Sequence, residues 1–321
     1  MARRRSPNSS APCPPAGVRR SDFEHAPPIR LLATDLDGTL LDRRYAISAA
    51  NYQAIRDLRA AGIHVVPATG RQYRVGAGYA FALGLDGLMI FQNGAVTKEL
   101  LSRQPLHFQP LPPALVPAIA ATGRAAGCSP VCFGDPFGTG RLYLEERPVG
   151  QERMLRFLEL SRTAVTVVRD SDRLARLDVL QAMFSGSVAD MRCLAARFRD
   201  RFGDDIRVLL TEYPDRDLTL LDVMHPDVSK GTALRRVART LGVPMEQVAA
   251  AGDNFNDREM LATAALPLVM GNADPDLRAA FPAAVLPDCE ADGLAWGIWR
   301  HVLHRPDRIA RWFPERPEPV V

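Results

Sequence analysis

The sequence predicts an α/β fold: a doubly wound, parallel-sheet core that carries an inserted α+β domain. Three observations predict it. Short apolar runs alternate with amphipathic helical stretches from about Ile29 to Asn93 and again from Val228, the pattern of strands joined by helical crossovers. Five of the apolar runs stop abruptly at polar, chemistry-bearing residues, as strands do at the carboxyl rim of an open α/β sheet. Between the two alternating stretches the texture changes to hairpin-like segments rich in Pro and Gly.

The elements follow in order. Leu31-Leu32-Ala33 reads as a buried strand ending in Thr34-Asp35-Leu36-Asp37-Gly38-Thr39,. Ser48 is placed to cap a helix with Tyr52, Ile55 and Leu58 on one face, closed near Gly62,. Ile63–Ala68 is a second strand, leading into Thr69-Gly70-Arg71. Here His64 reads as a packed residue rather than a catalyst. Leu88–Phe91 is a third, leading into Gln92-Asn93-Gly94. After Val228, Ser229 precedes a helix with Leu234, Val237, Ala238 and Leu241 at i, i+3, i+4, i+7, closed by Gly242 and Pro244,. Val248–Ala251 and Leu266–Met270 complete the strands, ending in Gly252-Asp253-Asn254-Phe255-Asn256-Asp257 and Gly271-Asn272. In the intervening region, strand-like Val179–Phe184, Ile206–Leu210 and Leu218–Val223 surround a helix-like Val188–Phe202. The expected division is a disordered tail over 1–28, a core over 29–105 and 223–305, an inserted domain over 106–222 and a C-terminal tail over 306–321.

A chain of 321 residues accommodates two domains, and a formal charge of +3 is close to neutral for that size,. It argues against a nucleic-acid partner. The local basic excess at Arg3, Arg4, Arg5, Arg19 and Arg20 sits among Pro, Ser and Ala without the apolar core of a signal peptide,. No run reaches the roughly 20 apolar residues of a membrane span, so no membrane partner is expected. Five scattered cysteines, Cys13, Cys128, Cys132, Cys193 and Cys289, form no disulfide framework,. They suit a reducing cytoplasm. The sequence carries no signal for an oligomeric state.

The rim residues carry the chemistry. On one strand face, Asp35 and Asp37 would lie roughly 4 Å apart and repel by about 4 kcal/mol at an effective dielectric near 20. A hard divalent cation with oxygen ligands, such as Mg²⁺, would relieve this, although Asp37-Gly38 read alone is also a turn. Asp253, Asn256 and Asp257 at i, i+3 and i+4 share one side of a helix start, where acids are also ordinary caps. Lys230 stands in the first turn of its helix against the macrodipole, a position that an acidic rim would explain. Thr69-Gly70-Arg71 offers a hydroxyl, an amide and a guanidinium, the donors a phosphoryl group needs, or else a plain strand-to-helix turn. Asn93-Gly94 is by itself a turn dipeptide. Together these residues describe phosphoryl transfer to an aspartate. If Asp37 met the metal only through its carbonyl, its carboxyl would remain available for a proton while Asp35 stayed ionised as nucleophile.

From about Ile29 to Leu303 the chain resembles the haloacid dehalogenase-like hydrolases, specifically the Cof-type phosphatases of subclass IIB. Asp35-Leu36-Asp37-Gly38-Thr39, Ala68-Thr69-Gly70-Arg71, Asp227-Val228-Ser229-Lys230-Gly231 and Gly252-Asp253-Asn254-Phe255-Asn256-Asp257 are similar to the four family motifs, in the family order. Gly271-Asn272-Ala273 and Asp292-Gly293-Leu294 resemble its closing segments. The resemblance implies a Rossmann-like core with a C2-type cap over the insertion. It also implies roles. Asp35 would be the nucleophile and a Mg²⁺ ligand, Asp37 the general acid and base with its carbonyl on the metal, and Asp253 the remaining metal ligand. Thr69, the Gly70 amide, Lys230 and Asn256 would bind phosphate, Asp257 would orient Lys230, and Arg71 and Asn93 would contact substrate.

The expected activity is hydrolysis of small phosphorylated metabolites, such as sugar phosphates, nucleotides or phosphorylated cofactors, through an aspartyl-phosphate. A phosphomutase on the same scaffold and a non-catalytic phosphometabolite-binding protein are the alternatives. The intact set of Asp35, Asp37, Thr69, Lys230 and Asp253 disfavours the binder, which needs no nucleophile. A dinucleotide-binding oxidoreductase is disfavoured too, because Gly76-Ala77-Gly78 lacks the third glycine at the fingerprint spacing,.

Overall fold

The computed structural model describes residues 28–146, 149–150, 165–169, 171–213 and 217–315. The expected N-terminal tail lies outside these residues, apart from residue 28. In chain order the described strands are β1 (Leu31–Thr34), β2 (His64–Pro67), β3 (Leu88–Phe91), β4 (Val96–Glu99), β5 (Pro105–Phe108), β6 (Val131–Gly134), β7 (Arg141–Glu145), β8 (Val165–Val168), β9 (Gln181–Gly186), β10 (Arg207–Tyr213), β11 (Leu218–Met224), β12 (Val248–Gly252) and β13 (Leu266–Val269). The chain divides into two compact units, at Val65/Val66 and at Val237/Ala238. The expected boundaries at 105/106 and 222/223 therefore fall inside the second unit.

The first unit is organised by a sheet of order β13-β12-β1-β2, with β1 parallel to β12 and β12 parallel to β13. β1, β12 and β13 are buried along their whole length, which is why they read as unbroken apolar runs instead of alternating. Leu31 to Thr34 lie in register with Val248 to Ala251. The helix Ala49–Ala60 is capped as expected, Ser48 accepting from the Asn51 amide at 3.0 Å. Its buried face is Ala50, Asn51, Ala54, Ile55 and Leu58, while Tyr52 is exposed, against the expected stripe. Asn51 ties this helix to both neighbours, donating to the Leu40 carbonyl at 3.0 Å and accepting from the Ala295 amide at 3.0 Å. Residues 306–312, expected in the C-terminal tail, form the helix Pro306–Trp312. Ile309 and Trp312, at i and i+3, give it an apolar face, and Trp312 stacks on Trp299 with centroids 6.0 Å apart,.

β2 carries the chain into the second unit. His64, at its exposed start, is not the packed residue expected: burial of the strand begins only at Val65 and then continues unbroken through Val66 and Pro67. β3 was expected in the parallel sheet but pairs antiparallel with β4, which pairs antiparallel with β5. The reason is local, since Gln92-Asn93-Gly94 reverses the chain directly after β3,. One parallel bridge, Ala68 to Ile90, links β3 to the segment after β2. The remaining sheet runs β10-β11-β9-β6-β7-β8 and is antiparallel except between β7 and β8. Helices Val116–Ala125 and Val188–Phe202 supply Ile119, Leu194, Ala195 and Phe198 to a core shared with Phe184, Leu221 and Val223 of the sheet. The second of these helices matches its expected span, with Ser187 as cap.

Candidate active site

In the first unit, β1 ends at Thr34, one residue before Asp35. The strand-face argument for Asp35 and Asp37 therefore does not apply: Asp35-Leu36-Asp37-Gly38 is a turn, pinned by fully buried Leu36. The Asp35 amide still holds the sheet register, donating to the Ala251 carbonyl at 2.9 Å. Its carboxylate is buried, and it meets those of Asp253 and Asp257, one oxygen from each lying within 4.8 Å of the others. The Asp37 carboxyl, half-buried beyond the turn, is outside this group.

Asp253 is held from several sides. The Thr39 hydroxyl donates to its Oδ1 at 3.0 Å, and the Asn272 amide donates to the Gly38 carbonyl at 2.8 Å and to Asp253 Oδ2 at 3.4 Å. Asn272 is itself fixed by accepting from the Cys289 amide at 2.9 Å. Gly38 is needed here: it has φ +76°, and a Cβ would overlap the Asp253 carboxylate,. Asp257 is fully buried and accepts from the amides of Asp253 and Asn254, both at 3.1 Å, which bends the loop after β12 into the short turn Phe255–Asp257 that also carries Asn256. Sequence reasoning did not select Thr39 or Asn272. The signal was present, since each directly follows a strand end or its turn at the same rim.

Three carboxylates this close repel one another strongly in a buried setting. Their oxygens are the hard, anionic donors that suit Mg²⁺. The donor set therefore fits a divalent cation. Burial, together with the neighbouring Asp288, pushes the Cys289 thiol up to about 12,.

The second unit holds the other predicted residues. Thr69 is fully buried, and its Oγ1 accepts from the Arg71 amide at 3.1 Å, which leaves the hydroxyl hydrogen to serve another acceptor,. The Arg71 guanidinium lies 5.2 Å from the centroid of the Tyr79 ring,. The Asn93 side chain is buried against Gly70, and its backbone N–H donates to the Thr69 carbonyl at 3.0 Å. Lys230 opens the helix Lys230–Thr240 and is fully buried, a placement tolerated only where acceptors replace its hydration. Ser229 caps that helix, its Oγ accepting from the Thr232 amide at 3.0 Å. The structure thus gathers Asp35, Asp253 and Asp257 in one unit, and Thr69, Gly70, Arg71 and Asn93 in the other.

Comparison with known proteins agrees with this chemistry. The sequence model of the haloacid dehalogenase-like hydrolases matches residues 32–298. The HMP-PP phosphatase of Serratia proteamaculans (strain 568) is 30% identical over 280 residues, covering 86% of this chain and 96% of its own length. Among solved structures, a haloacid dehalogenase-like hydrolase from Bacteroides thetaiotaomicron superimposes with a TM-score of 0.70 at 23% identity, over 85% of this chain and 99% of its own. A sugar phosphatase of subclass IIB gives 0.69 at 21% identity, over 84% and 98%. With the strand-end carboxylates and the four motifs in order, these matches place the chain in the haloacid dehalogenase-like hydrolase family, as a Cof-type member and a phosphoric monoester hydrolase.

Proposed function

We propose that this hydrolase is a Mg²⁺-dependent phosphatase of small phosphorylated metabolites that works through a phosphorylated Asp35. The observation that carries the reading is the meeting of Asp35, Asp253 and Asp257 at the ends of adjacent parallel strands. Asp35 and Asp253 would hold the cation with the Asp37 carbonyl, and the geometry supports Asp257 as a further holder or brace of that loop. When bound, Mg²⁺ withdraws charge from the phosphoryl oxygens.

The chain's own groups account for the rest. The Asp35 carboxylate attacks phosphorus, the ester P–O bond breaks, and the departing oxygen takes a proton from the Asp37 carboxyl. Asp37, now ionised, accepts a proton from the water that attacks the phosphorylated Asp35. Inorganic phosphate leaves and the Asp35 carboxylate is restored. Thr69, the Gly70 amide, Lys230 and Asn256 donate to the phosphoryl oxygens, and Arg71 contacts the remainder of the substrate.

Sugar phosphates, nucleotides and phosphorylated cofactors form the substrate class, in keeping with the names of the Serratia enzyme and the subclass IIB sugar phosphatase. The free thiols of Cys128, Cys132, Cys193 and Cys289 suit a reducing cytoplasm,, and no described helix is long and apolar enough to cross a membrane. The test is phosphate release across a panel of such metabolites, with and without Mg²⁺, for the wild type and Asp35→Asn. Metal-dependent release by the wild type and none by Asp35→Asn is expected. Release that survives chelation, or an active Asp35→Asn enzyme, overturns the reading.

A further inference from the structure

Gln92, Asn93 and Gly94 form three consecutive residues in left-handed backbone, with φ of 49°, 55° and 102°. Two of the three are not glycine, and all three are buried. A buried, strained run of this kind persists only where its surroundings enforce it. The surroundings here are the phosphate-binding segments. On one side, the Gln92 amide donates to the Arg71 carbonyl at 3.1 Å and the Asn93 amide to the Thr69 carbonyl at 3.0 Å. A Cβ on Gly70 would stand 3.1 Å from Asn93 Oδ1. On the other side, Gly94 lies against the peptide joining Ser229 to Lys230, so closely that a Cβ there would overlap the Ser229 carbonyl and stand 3.2 Å from the Lys230 nitrogen. That carbonyl is already engaged by the Ala233 amide and the Thr232 hydroxyl, each at 3.0 Å, so it has little freedom to retreat.

We infer that Gln92-Asn93-Gly94 is a positioning turn that sets the spacing between the Thr69–Gly70 donors and Lys230, and that Asn93 acts through its backbone conformation and not as a substrate contact. This inference rests on the proposed phosphatase reading. The turn works as a spacer between two backbones. Glycine at 94 permits the approach to Ser229, and the left-handed pair before it points two amides back at the 69–71 segment. Asn suits position 93 because it tolerates left-handed backbone better than other side chains do.

The experiment compares Asn93→Gly with Asn93→Ala, and both with Gly94→Ala, using p-nitrophenyl phosphate and Mg²⁺. Glycine and alanine both remove the amide side chain, but only alanine resists the left-handed backbone. Asn93→Gly is expected to keep kcat and KM within about threefold of the wild type. Asn93→Ala and Gly94→Ala are expected to lose kcat, by up to about a hundredfold for a displacement near 1 Å, with much smaller changes in KM. Equal losses in the two Asn93 variants, carried mainly by KM, would assign the side chain to substrate contact and overturn the inference. A Gly94→Ala enzyme that folds and retains wild-type kcat would overturn it as well, and if that variant fails to fold, the Asn93 pair decides alone. Asp35→Asn run in parallel separates the two readings, because its activity bears on the nucleophile and not on the turn.

Discussion

The four-stranded and six-stranded sheets solve burial in opposite ways. In the first, β1, β12 and β13 are covered along their length, and polarity is confined to the strand ends. In the second, β10 is only partly buried along most of its length, and one face of the sheet, Phe184 included, packs against Phe198 and its helical neighbours. Its strands also bury polar groups in mid-strand. Asp222 of β11 is enclosed beside Gln181 of β9, and burial pushes its carboxyl up to about 6 despite the Gln181 hydrogen bond. A sheet covered on both faces exposes backbone and side chains only at its ends, so its chemistry collects there. A sheet that packs mainly through one face spreads its polar groups, and its stability rests on that face.

Substitutions can break this comparison. After Asp35→Asn, the largest effect on function is expected from Asp253→Asn, which should cost turnover about a hundredfold or more, since disturbing even the groups that support metal ligands costs about 10–100-fold. Thermal unfolding of that variant should be unchanged or raised, because the substitution removes one of three mutually repelling carboxylates. A marked fall in Tm would show that the acidic group is structural. The largest effect on stability is expected from Phe184→Ala, about 3–5 kcal/mol by urea unfolding, because its ring sits 5.1 Å from that of Phe198 in the shared core.

Asp222→Asn sharpens the comparison through pH. The raised native pKa means that the folded protein binds the proton more tightly than the unfolded chain does. The Asp222 contribution to stability is therefore most favourable below the unfolded value near 4, declines as pH rises toward about 6, and is least favourable above it,. Removing the charge should stabilise the protein at pH 7 by about 2–3 kcal/mol and hardly at all at pH 4, which a pair of melting curves would show. The smallest effects should be alike in both units: Ser48→Ala and Ser187→Ala each remove one helix cap, seen at 3.0 and 3.1 Å, and each should cost about 1 kcal/mol. A clear difference between them would mark one helix as held chiefly by its cap.

Much of this molecule was legible in local pattern. The buried strands were visible as apolar runs, Ser48 stood where a cap belongs, and the helix-like span Val188–Phe202 matches the helix that forms. The errors were equally local in origin. The strand was carried past Thr34 to Asp35 and Asp37, and Tyr52 was placed on the buried stripe with Ile55 and Leu58 although the face that packs runs through Asn51, which bonds Leu40 and Ala295.

By itself the order of residues determined that the apolar runs of the core become strands, and which carboxylates, hydroxyls and ammonium follow them, because periodicity and capping are properties of neighbours in the chain. Only the tertiary structure decided that Asp257 joins Asp35 and Asp253, that Thr39 and Asn272 steady the group, and that Gly94 must lie against Ser229. Those contacts join residues more than a hundred positions apart, or hinge on a single dihedral angle, and the physical cause is packing: only the folded backbone brings such atoms within reach of one another.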